Sequence, residues 1–165
     1  MLTLYNVISE DGFIAREDGS EDFIPDTLWI NFLNLCLEYR SLIMGRKTYD
    51  TIQSYDENLI RSFEKLPIQK IVVTNDQDFH PKDGYTVVHS PEEAVAIAPN
   101  SLVSSGPTLN NYLLEKQLVE KIIQHEVAVS INEGIRPFRD MSSYLSKITP
   151  SKSLAGVNVR EYLLL

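Results

Sequence analysis

The sequence predicts an α/β protein: a three-layer α/β/α sandwich on a mostly parallel sheet, with antiparallel strands at the C-terminal end. Three observations carry this. Short β-branched apolar runs alternate with helical patterns through the first two-thirds of the chain, which calls for right-handed crossovers and parallel pairing. Two of the strands run through a glycine straight into a helix. The last third is rich in strand patterns, so its strands can only add at an edge.

In chain order, Leu2 to Ile8 reads as the opening strand, closed by Ser9-Glu10-Asp11-Gly12. The Asp11-Gly12 and Asp18-Gly19 pairs are turn formers, so Ser9 to Phe23 is expected as loop, with an apolar contact at Phe13-Ile14. Asp26 is placed as helix N-cap, and Leu28, Trp29, Phe32, Leu33, Leu35, Cys36 and Tyr39 follow on one broad face at helical spacing. Ser41 to Met44 is a buried strand and Arg46 to about Gln53 the next helix. Lys70 to Thr74 and Tyr85 to Val88 have interior-strand composition. Ser90-Pro91-Glu92-Glu93 opens a short helix with a capping box, ended by Pro99-Asn100. Ser101 to Val103 is a strand, Pro107 to Glu115 a helix and Leu118 to Ile131 a long strand. Met141 to Leu145 is helical or strand-like, and Val157 to Leu164 closes the chain as a strand.

The 165 residues suit a single domain spanning residues 1–165, able to bury about two-thirds of its unfolded surface. Hydrophobic content of 43% with 23% charged residues is that of an ordinary folded chain, not a disordered one. A net charge of −8, with the acids spread out, argues against a nucleic-acid or anionic-membrane surface. It leaves room for a phosphate ligand, which needs only a few local cations. No apolar run reaches the roughly 18 residues of a membrane span. One cysteine, Cys36, excludes an intrachain disulfide and a multi-cysteine zinc site, and fits a cytoplasmic location. His80, His89 and His125 combine at no ligand spacing, so no metal is expected.

The chemistry is expected at the two glycine junctions. In Leu42 to Asp50, LIMGRKTYD, an apolar strand ends on Met44 and a helix opens after Gly45 with Arg46, Lys47 and Thr48. Such a corner aims backbone N–H groups and the positive end of the helix dipole at an anion. Two cations at a helix N-terminus oppose the dipole, by about 0.3–1 kcal/mol each, unless an anion joins them. The second junction is Leu102 to Leu114, LVSSGPTLNNYLL. Two such corners suit a ligand with separated phosphates, such as a dinucleotide, held beyond the carboxyl ends of the strands.

With those positions in hand, the chain resembles the dihydrofolate reductase-like fold family. Within it, the nearer likeness is to the reductase half of the bifunctional riboflavin-biosynthesis deaminase–reductase and its stand-alone relatives. The residues that carry it are NVISEDGFIAREDGSEDF (6–23), LIMGRKTYDTI (42–52), IVVTN (71–75), SGPTLNNYLLEKQLVEKI (105–122) and NEGIRPF (132–138), in family order. The resemblance implies an NADPH-dependent reductase of a small metabolite. Gly45, Arg46, Lys47 and Thr48 would meet the phosphate and adenosine end of the cofactor, and Thr74 and Asn75 would flank the adenine ribose. Ser105, Gly106, Pro107, Thr108 and Leu109 would hold the pyrophosphate. Val7, Ile8 and Ile14 would frame the nicotinamide. A homodimer paired through a sheet edge is implied as well. The substrate class implied first is the ribosylamino-pyrimidine intermediate of riboflavin synthesis, reduced at the ring-opened ribose C1′. Dihydrofolate reduction and nucleotide binding without catalysis are the alternatives.

Candidate catalytic residues are Asp26, Asp11 and His125; Ser9, Trp29 and Phe32 are candidate substrate contacts. Each has a plainer alternative: Asp26 as a helix cap, Trp29 and Phe32 as core, Ser9 and Asp11 as turn formers, His125 as a structural strand residue. Several departures from the family pattern stand out. Ser105 and Ser104 occupy the positions of a usual glycine and a frequent acid. Serine brings a Cβ that hinders close approach to phosphate, but a hydroxyl that can donate to it. Val127 stands where a histidine is usual, and His125 where a threonine is. Asp76, after Thr74-Asn75, would repel a ribose 2′-phosphate if it pointed there.

Overall fold

The structure is a computed structural model that describes residues 1–140, 145–148, 152–154 and 157–164. Its contacts divide the chain into two compact units: Asp26–Ser105, with Leu2, and Thr3–Pro25 joined by Gly106–Leu165, with Met1.

In the Asp26–Ser105 unit, helix α1 (Thr27–Tyr39) leads into strand β2 (Ser41–Gly45) and helices α2 (Arg46–Gln53) and α3 (Glu57–Glu64). Strands β3 (Gln69–Val73) and β4 (Tyr85–Val88), helix α4 (Pro91–Ile97) and strand β5 (Leu102–Val103) follow. The strands lie in the order β4-β3-β2-β5 and every pair is parallel, as alternation of strand and helix demands. Register puts Gly45 beside Val73 and Ile43 beside Val103. The strands therefore run out at one edge, where Thr74, Arg46 and Ser104 continue the chain.

The core of this unit is Leu42, Ile43, Met44, Ile71, Val72, Leu102 and Val103, under Leu28, Phe32 and Cys36 of α1 and Phe63 of α3. Each such side chain stabilises the fold by about 1.5–3 kcal/mol. Phe32 and Phe63 stack at 5.9 Å, and Trp29 leans on both while its indole N–H donates to Ser62 Oγ at 2.9 Å. Burial pushes the Cys36 thiol up to about 12, so it is an inert apolar filler. Lys70 is buried too, and its ammonium donates to the carbonyls of Leu66 (3.0 Å) and Glu64 (3.3 Å), capping the C-terminal end of α3.

Two local expectations need correction. Asp26 precedes α1, but its carboxylate accepts no capping hydrogen bond. Ser90 Oγ does accept from the Glu93 N–H (3.2 Å), yet Glu93 Oε2 takes the N–H of His89 rather than that of Ser90. Helix α3, capped by Asp56 Oδ1 on the Asn58 N–H at 2.9 Å, was not expected from the sequence.

The other unit holds strand β1 (Leu2–Ser9) from Thr3 onward, helix α5 (Pro107–Glu115), strand β6 (Val119–Val127) and strands β7 (Leu145–Ile148), β8 (Lys152–Leu154) and β9 (Val157–Leu164). Their order is β1-β6-β9-β7, with β8 also on β9. The β9 pairings are all antiparallel, as expected for the C-terminal end. The expected long strand stops at Val127 instead of Ile131. Of the expected segment Met141 to Leu145, residues 141–144 lie outside the described residues and Leu145 begins β7. Among the described residues, no helix is long and apolar enough to cross a membrane.

Candidate functional site

The carboxyl ends of β3, β2 and β5 form a corner around Gly45. The Gly45 N–H donates to Ser105 Oγ at 3.2 Å, and the Ser104 N–H to the Ile43 carbonyl at 3.0 Å. Ser105 is buried, and a Cβ on Gly45 would fall 2.9 Å from its hydroxyl oxygen. The missing side chain at 45 thus leaves room for the Ser105 hydroxyl against the Gly45 N–H. Gly45 is the N-cap of α2, and Gly106, next after Ser105, is the N-cap of α5; neither helix has a side-chain cap. The first-turn N–H groups of α2 are left for a ligand or water.

Arg46 is half-buried and already paired. Its Nε donates to both carboxylate oxygens of Asp50 at 3.0 Å, Nη1 donates to Asp76 Oδ2 at 3.4 Å, and its guanidinium lies 3.8 Å from the centre of the Phe79 ring. The cation that the sequence reading left for a ligand anion therefore has two internal ones. Lys47 is exposed and has no ion pair among the described residues. Thr48 is half-buried on the same first turn. Thr74 is buried, with its Oγ1 accepting the Asp76 N–H at 3.1 Å, and Asn75 is exposed beside it. Asp50 and Phe79 are residues the sequence reading missed. Asp50 was visible in the i,i+4 spacing from Arg46, whereas nothing local announced Phe79.

In the other unit, the loop after β1 is braced by Asp11. Its Oδ1 accepts from Ser9 Oγ (2.6 Å) and the Ile131 N–H (3.2 Å), and its Oδ2 from the Asn132 N–H (2.7 Å). The Ser9 bond first, then the backbone donors, hold the Asp11 carboxyl below its usual range, so it stays ionised. Tied to these three donors, Asp11 fits the turn-former reading rather than the catalytic one. Ser9 is fully buried, and its hydroxyl is spent on Asp11 and on the Phe13 N–H (2.9 Å), which removes it as a substrate contact.

His125 faces inward. Only 4% exposed, it meets the Tyr5 hydroxyl at 3.1 Å through Nδ1, with the two rings edge to face at 5.1 Å. Burial lowers its pKa, so the ring is neutral and structural rather than a proton donor. The unfolded chain takes up this proton near 6.5 and the folded chain only at lower pH. Between the two the unfolded state binds more protons, so stability falls on acidification. Urea unfolding should be insensitive to this group above pH ~6.5 and lose stability below it, and His125→Gln should flatten that part of the profile. A profile identical in the variant would overturn the assignment.

Asp26 is exposed, and Trp29 and Phe32 belong to the core cluster, not to a stacking surface. Val7 and Ile14 are half-buried. In α5, Pro107 is half-buried, Thr108 exposed and Leu109 buried, while Asn110 Nδ2 donates to the Pro137 carbonyl at 2.9 Å. Beside the end of β1 lies a shallow depression, largely open to solvent, lined by Ile8, Phe138, Glu10, Asp11, Arg136 and Arg139 among others.

This architecture is the dihydrofolate reductase-like α/β fold, and solved structures share it. A putative riboflavin biosynthesis protein from Shewanella sp. PV-4 is 19% identical, with a TM-score of 0.76 over 99% of this chain and 98% of that one. Dihydrofolate reductase from Enterococcus faecalis, complexed with NADP(H) and RAB-propyl, is 18% identical (TM-score 0.72; 99% and 96% covered). The diaminohydroxyphosphoribosylaminopyrimidine deaminase/5-amino-6-(5-phosphoribosylamino)uracil reductase from Thermotoga maritima is 13% identical (TM-score 0.72). All of this chain is covered there, against 56% of that longer one. No protein-family model and no curated protein sequence matches the chain.

Proposed function

We propose that the chain is a reductase that takes hydride from a reduced nicotinamide dinucleotide, NADPH by resemblance, and acts on a small metabolite of the riboflavin-pathway type. The observation that carries this reading is the corner itself. Gly45 and Ser105 meet at 3.2 Å, each at the mouth of a helix whose N-terminus lacks a side-chain cap. When bound, the nicotinamide supplies the hydride. The α2 N–H groups, Lys47 and Thr48 would hold a phosphate, and Thr74 and Asn75 would flank a ribose. By the family resemblance alone, Gly106, Pro107, Thr108 and Leu109 would receive a second phosphate, and Val7 and Ile14 would frame the nicotinamide.

A substrate of the 5-amino-6-(5-phosphoribosylamino)uracil class is favoured over dihydrofolate by one observation. Dihydrofolate reduction uses a buried carboxylate on the first helix, and here Asp26 and Glu38, the acids at and on α1, are both exposed. A homodimer in the cytoplasm completes the proposal.

The test is titration of the purified chain with reduced nicotinamide nucleotides, followed by an assay of hydride transfer to the ribosylamino-pyrimidine. Arg46→Ala with Lys47→Ala removes both cations and strips Asp50 and Asp76 of their partner. The dissociation constant should rise at least tenfold, ~1.4 kcal/mol. An unchanged constant would move the cofactor elsewhere. Tight inhibition by methotrexate would turn the reading to dihydrofolate reductase, and binding with no turnover to a nucleotide-binding domain.

A further inference from the structure

We infer that the acid pair around Arg46 makes this corner a site for NADH that rejects the 2′-phosphate of NADPH, with Asp76 as the residue that decides. The inference rests on the dinucleotide reading above and departs from the cofactor that the family likeness implies.

The geometry is specific. Asp50 takes the Nε side of the Arg46 guanidinium with both oxygens at 3.0 Å, Asp76 takes Nη1 at 3.4 Å, and Phe79 covers a face at 3.8 Å. Asp76 is itself held in place: its N–H donates to Thr74 Oγ1 (3.1 Å), and its Oδ1 accepts from the Asp78 N–H (3.0 Å). It thus presents a fixed carboxylate at the end of β3, next to the strand that carries Gly45.

A nucleotide with its phosphate on the first turn of α2 and its adenosine toward β3 brings the ribose 2′ position to Asp76. With NADH, the ribose hydroxyls donate to that carboxylate, and the Arg46 pairs stay intact; an acid in this position is the general means of reading an unphosphorylated ribose. With NADPH, a dianion must displace Asp76 from Arg46 and then sit beside two carboxylates. Arg46 and Lys47 together only balance Asp50 and Asp76, so the corner offers the extra phosphate no net positive charge. The side chains of Arg46, Asp50 and Asp76 are 37%, 53% and 54% exposed, so a ligand can reach them.

Calorimetric titration of the unmodified chain and of Asp76→Asn with NADH and NADPH tests this without any turnover. Asparagine keeps an oxygen for the Asp78 N–H, so the turn survives, and a circular dichroism melt checks the fold. The unmodified chain should bind NADH at least ~10-fold tighter than NADPH. In Asp76→Asn the ratio should move toward NADPH by ~5-fold or more, through weaker NADH and stronger NADPH binding. Equal or tighter NADPH binding by the unmodified chain overturns the inference while leaving the dinucleotide reading standing. So does a ratio that Asp76→Asn leaves unmoved. Binding of neither nucleotide overturns that reading and the inference with it.

Discussion

Among the glycines of the described residues, Gly134→Ala should be the alanine change that destabilises this protein most, with a loss of about 3–5 kcal/mol. A Cβ at this position would stand 2.3 Å from the Ala15 carbonyl oxygen, 3.3 Å from its carbon and 3.2 Å from Ile131 Cδ1. A side-chain obstacle could rotate away, but this one is backbone fixed on both sides. The Ala15 carbonyl accepts the Ile135 N–H at 2.8 Å, and the Ile135 carbonyl accepts the Ile14 N–H at 2.8 Å. Relief means opening the Ala15–Ile135 bridge. Two hydrogen bonds at about 1 kcal/mol each are then lost on top of about 1–3 kcal/mol of overpacking. The same bridge secures the loop that Asp11 ties to Ile131 and Asn132, so that brace should loosen with it. Gly19→Ala is the control. Gly19 has φ +87° but open space around it, so only the backbone penalty of about 1 kcal/mol applies. Urea unfolding of both variants decides the matter. A loss for Gly134→Ala no larger than for Gly19→Ala would show that the bridge yields without cost.

What the sequence disclosed followed the range of the forces involved. Strands β2 and β4 and helices α2 and α5 were legible because apolar pattern, glycine and proline mark them within a few residues. Helix α3 escaped because only Leu59, Ile60 and Phe63 mark its apolar side in eight residues, and the Asp56 cap is a weak sign alone. Strand β8, three residues of mixed polarity, exists through its pairing with β9, which no local pattern encodes. The site divides the same way. Its glycine corners could be read directly from the strand–glycine–helix pattern, although a Cβ would meet a neighbour only at Gly45 and open space at Gly106. The engagement of Arg46 by Asp76 spans 30 positions and that of His125 by Tyr5 spans 120, so the roles of Arg46 and His125 emerged only from the fold. Ser9, Trp29 and Phe32 each carried two readings, substrate contact or turn and core, because a residue's type does not say which way it faces. Burial decides for Ser9 and Phe32, and for the half-buried Trp29 its indole bond to Ser62 and its ring contacts decide.

Gly45→Ala and Ser105→Gly should prove strongly coupled, each rescuing part of what the other costs. Alanine at 45 sets its methyl 2.9 Å from Ser105 Oγ, so the hydroxyl must swing off the Gly45 N–H, to which it stands at 3.2 Å. Ser105 is 6% exposed, and little water can replace that bond. The expected cost is about 1–3 kcal/mol, that of a buried polar group losing its partner. Ser105→Gly removes the hydroxyl, giving up the same hydrogen bond but leaving room at the corner. A methyl introduced at 45 in that background has no Oγ to strike, so the second change should add little. The double variant should therefore be more stable than the sum of the single losses by about 1–2 kcal/mol, the size expected for residues in direct contact. Strict additivity, measured by urea unfolding of the four proteins, would mean that the 45–105 contact does not hold this corner together. The cycle also bears on why serine stands at 105, where the family resemblance implies glycine. Its hydroxyl takes up the Gly45 N–H at the mouth of α2, so Ser105→Gly should leave that donor free for the anion proposed above.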